Sequence, residues 1–134
     1  MSIDRQPIMP ARVRRIDGSF AFLPHRFLRD GFLQSLTDDE LRLYLMLVLV
    51  ADREGVSFYS HRRLCAVLQM PPETYLHARD ALLRKDLIAA DGARVQVLTL
   101  PPAPVLIEPR PMPHRDQASA CQAFLASLAA LEAK

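Results

Sequence analysis

His61 and Cys65 stand four residues apart, a spacing at which two side chains on one helix face can share a metal ion. Two ligands do not make a site, and no motif links the remaining candidates, His77 and Cys121, to the pair. Cys65 therefore reads as a small core residue. The chain has no Gly-rich phosphate loop, no paired acids in an apolar setting, and no Ser or Cys with a recognisable base partner. With four glycines in all, a loop that cradles a nucleotide is not expected. The expectation is a protein that is not an enzyme and carries neither cofactor nor metal.

The side chains left to do chemistry are arginines. Fifteen of the seventeen basic residues are Arg, whose planar fork suits bidentate contacts to phosphate, although a coding bias toward Arg gives the same count. A net charge of +2 does not argue for nucleic acid by itself, but its distribution is uneven. Residues 1–29 carry six Arg against two acids, and residues 30–61 carry two Arg against six acids. Residues 62–100 hold six bases against four acids, and residues 101–134 balance at three each. Arg12, Arg14 and Arg15 cluster on an N-terminal arm and read as DNA-phosphate ligands, while Arg62 and Arg63 stand at a helix start and Arg94 beside a turn. A solvated tail or a solvated first turn would look the same. An Arg is, however, not what the dipole of a helix favours at its N-terminus.

At 134 residues the chain suggests one domain with length left over for tails, and half of it is hydrophobic, enough for a core. The richest apolar run, residues 41–51, is too short to span a membrane and is flanked by charges. No apolar stretch follows the N-terminal charges, and two cysteines make no disulfide framework. A cytoplasmic protein without a membrane partner is expected.

Residues 1–19 lack hydrophobic periodicity and predict a mobile arm. From Pro24 a short helix is expected, with Phe27, Leu28, Phe32, Leu33 and Leu36 seeking a core and Gly31 ending it. Thr37-Asp38-Asp39-Glu40 is a capping box, in which Glu40 reaches back to the Thr37 amide. The helix it opens should run to about Glu54, with Gly55 at its C-terminal cap. Apolar residues surround it from Leu43 to Val50, so it reads as an enclosed central helix, a dimer interface being the alternative.

Residues 56–100 organise the rest. A strand over 56–59 precedes a helix capped by Ser60. Gln69-Met70-Pro71-Pro72 stops that helix, and Pro72 opens a second one running to about Lys85. Asp91-Gly92 between two apolar runs predicts a hairpin with a type I′ turn, the strand over 56–59 being its third partner. Helix, turn, helix and hairpin is the layout of a winged helix-turn-helix. With Leu68, Thr74, Tyr75, Ala78, Leu82 and Leu87-Ile88 at the places of a Thr-hydrophobic-x-x-Ala helix and its Leu-Ile strand, the chain resembles the winged-helix domains of phage and plasmid replication initiators and related bacterial regulators. The resemblance covers residues 20–100, beginning at Phe20-Ala21-Phe22-Leu23-Pro24. It implies a mainly α fold with a small β-hairpin wing (α+β) and a recognition helix over 72–85. It also places Arg62 and Arg63 at the helix start that faces the DNA backbone, and Arg94 where the wing would meet a phosphate.

On that helix Tyr75, Leu76, Ala78, Leu82 and Leu83 share one side, and Glu73, His77, Asp80 and Arg84 the other, with Thr74 at its edge. Thr74 and His77 would lie nearest the bases, but two acids against one permanent base is a poor face for reading DNA. Arg79 projects among the apolar residues and is expected to snorkel or to pair with Asp86. Residues 101–115 form a Pro-rich connector. Residues 116–134 predict an amphipathic helix whose stripe of Cys121, Phe124, Leu125, Leu128 and Leu131 needs a partner surface. Two functions follow: a small double-stranded-DNA-binding protein of transcription, replication or mobile elements, or a winged helix used as an interaction module. The latter would join a homodimer or a larger nucleic-acid machine through Phe124, Leu125, Leu128 and Leu131.

Overall fold

The computed structural model describes residues 5–107. The second half of the Pro-rich connector and the amphipathic helix expected over 116–134, with Phe124, Leu125, Leu128 and Leu131, lie outside the described residues. The described chain is mixed α+β. Four α-helices, α1 (Arg26–Arg29), α2 (Asp38–Val50), α3 (His61–Leu68) and α4 (Pro72–Arg84), accompany three strands, β1 (Val56–Ser57), β2 (Ile88–Asp91) and β3 (Arg94–Val97). Among these residues no helix is long and apolar enough to cross a membrane.

Residues 5–25 are exposed throughout, and their one regular turn, Pro10–Arg12, buries nothing. Phe20 and Phe22, where the family resemblance begins, contribute no core packing. The short helix starts at Arg26 rather than Pro24, and Gly31 (φ +87°) turns the chain after it. Phe27 and Phe32 are buried as expected, but Leu28 faces solvent, because one helical turn has only one inward face.

Thr37 caps α2 by accepting the Glu40 amide at 3.3 Å. The reciprocal half of the capping box is replaced. The Glu40 carboxylate accepts from the Thr37 hydroxyl at 2.9 Å and from the Lys85 ammonium, so it points into the domain instead of back to the Thr37 amide. The helix ends at Val50, four residues early. Asp52 is the reason: its carboxylate accepts the amides of Glu54 (2.9 Å) and Val56 (3.0 Å) and holds a turn that competes with continued helix. Gly55 closes that turn at φ +85° and accepts the Val97 amide at 2.8 Å. Enclosure of α2 is incomplete, since Leu43, Tyr44 and Leu47 are buried while Leu49 remains exposed.

Ser60 caps α3 through the Arg63 amide at 3.1 Å. Both α3 and α4 then end in the same way without a glycine. Gln69 (φ +51°) and Asp86 (φ +62°) take the left-handed conformation. The next amide, that of Met70 or Leu87, bonds five residues back to Cys65 or Leu82, and its side chain is buried. Arg42 satisfies the Leu68 carbonyl left over at the end of α3. Pro71 and Pro72 lead into α4, which packs on α2 and α3.

The sheet is antiparallel with order β1-β3-β2. Val56 pairs with Gln96, so β1 is the third partner of the hairpin, although it spans two residues rather than four and leaves Phe58 exposed. Asp91 pairs with Arg94, which makes Gly92-Ala93 the turn, one residue later than expected. Positive φ occurs at Gly92 (+60°) and not at Ala93, a requirement of type II′ rather than type I′. Leu43, Leu64, Leu82 and Leu87 are at most 1% exposed and form the centre of a core to which α2, α3, α4 and β3 all contribute. Each such side chain contributes about 1.5–3 kcal/mol on burial.

Candidate functional site

A cleft of about 410 Å³ opens where three elements meet. Tyr59, Ser60 and His61 enter from the start of α3. From α4 come Pro72, Tyr75, Leu76 and Arg79, and from the hairpin Gly92, Ala93 and Val95. Local structure explains the convergence. The Ser60 cap fixes where α3 begins, the αL residue Gln69 reverses the chain into α4, and the two-residue turn places the hairpin tip beside the first half of α4.

The cleft is lined by rings. His61 and Tyr75 lie 6.3 Å apart between centroids, and the Arg63 guanidinium sits 4.3 Å above the Tyr59 ring, within cation–π range. Arg79 does not pair with Asp86, because Asp86 turns left-handed beyond the end of α4 and is exposed. Arg79 is instead half-buried and lies beside Tyr75, whose phenol its charge influences. Burial raises the Tyr75 phenol above its ordinary pKa, partly opposed by the nearby Arg79 charge. Neither Tyr59 nor Arg79 was a site residue by sequence reasoning. The available signal was the odd position of Arg79 among apolar side chains of α4.

The sequence-nominated residues fall into separate groups. Arg12, Arg14 and Arg15 are exposed on the N-terminal arm. Arg62 and Arg63 are exposed on the first turn of α3, next to the cleft-lining His61. On α4, Thr74 is half-buried and His77 exposed, on a helix whose Asp80 and Arg84 pair at 3.7 Å. Arg94, expected to meet a phosphate from the hairpin, is ion-paired with Asp91 at 2.6 Å, so its neighbour offsets its charge. Cys65 packs against the core. Among the described residues no group of three or more His, Cys, Asp or Glu is arranged to hold a metal.

Searches against family models, curated proteins and solved structures returned no match to this chain.

Proposed function

We propose that the chain is a winged helix-turn-helix protein that binds double-stranded DNA, with α4 as recognition helix and the β2–β3 hairpin as wing. The observation that carries this reading is the convergence of the α3 start, the first half of α4 and the hairpin tip on one side of the domain. A duplex laid across that side meets the exposed Arg62 and Arg63 at the capped helix start. The element order supports the same reading: helix, strand, helix, helix and hairpin, with the lone strand paired to the returning strand of the hairpin. Arg12, Arg14 and Arg15 on the exposed arm add phosphate contacts. Thr74 and His77 project from the face of α4 opposite the cleft, so a duplex laid on the cleft side is held by phosphate contacts rather than read by these two side chains. The Asp80–Arg84 and Asp91–Arg94 pairs leave little unbalanced positive charge on α4 and the hairpin, so backbone contacts outweigh base reading.

The test is anisotropy of a labelled random duplex across a salt series. Micromolar binding with a steep negative salt slope is expected. Replacing Arg62 and Arg63 by Ala should weaken it for every sequence and flatten the slope by about two. Binding that is absent at low salt, or unaffected by the double replacement, rejects the assignment.

The mixed charge of α4 favours a second reading, a winged helix turned to protein contacts as an accessory subunit or homodimer. It requires that deleting residues 105–133, with Phe124, Leu125, Leu128 and Leu131, abolish the association; an intact complex after deletion excludes it.

A further inference from the structure

We propose that the cleft between α4 and the β2–β3 hairpin binds a small aromatic carboxylate, its carboxylate on Arg79 and its ring among the aromatic and aliphatic walls. The volume of about 410 Å³ lies within the range of small-molecule sites, about 300–1,000 Å³. Arg79 defines the polar end. Arg26, Arg84 and Arg94 each have an acidic partner, Asp30, Asp80 and Asp91 respectively. Among the described residues no carboxylate lies within ion-pair distance of Arg79, a half-buried cation beside Tyr75. A guanidinium has five N–H donors in a fork matched to a carboxylate.

The walls select the body of the ligand. Tyr59, Tyr75, Leu76 and Val95 offer rings and branched aliphatic surface, which reward an apolar ring and give nothing to a hydrated inorganic anion. Because α4 forms one wall and the hairpin tip another, a bound ligand fixes the position of the hairpin relative to α4. The inference does not depend on DNA binding.

The full-length protein titrated with benzoate and phenylacetate, followed by ¹H–¹⁵N NMR, tests it. Saturable shifts are expected at Leu76, Ala93 and Val95 in the millimolar range or tighter, with much weaker effects from benzyl alcohol and from inorganic phosphate. Arg79→Met should weaken benzoate binding by about tenfold or more. Ala93→Phe at the exposed turn fills the cleft without touching the core and should abolish binding in a folded protein. The proposal is overturned if no shifts occur, if phosphate alone reproduces them, in which case the cleft takes a backbone-type phosphate group, or if both variants bind benzoate unchanged.

Discussion

Lys85 and Glu40, 45 positions apart in sequence, form a buried ion pair that ties the end of α4 to the first turn of α2. The ammonium also donates to the Ser35 carbonyl at 2.7 Å, and the carboxylate accepts from the Thr37 hydroxyl, so neither charge is left with a single partner. Removing one member strands the other in a site where each side chain is only about a tenth exposed. Lys85→Met should cost about 3 kcal/mol by urea denaturation, whereas Lys85→Met combined with Glu40→Leu should recover most of the loss. A double variant no more stable than the single one would show that the pair itself, rather than its completeness, matters.

Gly55 is fixed twice, by φ of +85° and by a Val97 carbonyl oxygen 2.6 Å from where a Cβ would stand. That oxygen belongs to the backbone and cannot move without disturbing β3. Gly55→Ala should destabilise by about 1–3 kcal/mol, with amide exchange rising first at Val97, whose N–H bonds to Gly55. A neutral substitution would contradict this geometry.

Asp86 combines a left-handed backbone with a negative charge at the C-terminal end of α4. Asp86→Gly relieves both and should raise stability by about 1 kcal/mol. Gln69→Gly, with only the backbone to relieve, should gain about half as much. Thermal melts that move downward for both would reject the two caps.

Tyr44 and Tyr75 are both buried, and burial raises each phenol above its ordinary value of 10.0. Above pH 10 the unfolded chain loses these protons while the folded chain retains them. Their stabilising contribution is therefore complete below pH 10 and is lost as pH rises through the folded values. Tyr44→Phe should make the alkaline decline of unfolding free energy shallower, as followed by denaturation at several pH values. An unchanged decline would show that Tyr44 ionises as readily folded as unfolded.

Arg26 donates to the carbonyls of Leu100 (3.3 Å), Pro101 (2.9 Å) and Pro102 (3.4 Å), while its guanidinium lies 5.5 Å from the Phe32 ring centre. This one side chain lays the start of the connector along α1, and Pro104 and Leu106 follow beside Gly31, Gln34 and Ser35. Arg26→Met should free the connector at a cost of about 1–2 kcal/mol, seen as faster ¹⁵N relaxation dynamics at Ala103 and Val105. Unaltered relaxation would mean that the prolines alone hold its course.

The sequence determined by itself what depends on neighbours a few residues away. Thr37 and Ser60 cap α2 and α3 because a hydroxyl needs only an amide three positions on. Pro71 and Pro72 separate α3 from α4 because a missing N–H and a fixed φ act locally. The apolar spacing of α4 buried Tyr75, Ala78 and Leu82 as read. Even local competition was harder to see: Asp52 drew the backbone into a turn and ended α2 at Val50, and the hairpin turn moved to Gly92-Ala93 once pairing set the register.

What only the tertiary structure decided are pairings between residues far apart in the chain. Glu40 forms half of a capping box in sequence, yet its carboxylate goes to Lys85, since burial rewards the partner that neutralises a charge over one that caps an amide. Arg79 is a misplaced cation on an apolar helix face until the start of α3 and the hairpin tip close a ring-lined cleft around it. Helical periodicity places a side chain on a face. It does not say which distant element covers that face, and the chemistry of the cleft depends on that cover.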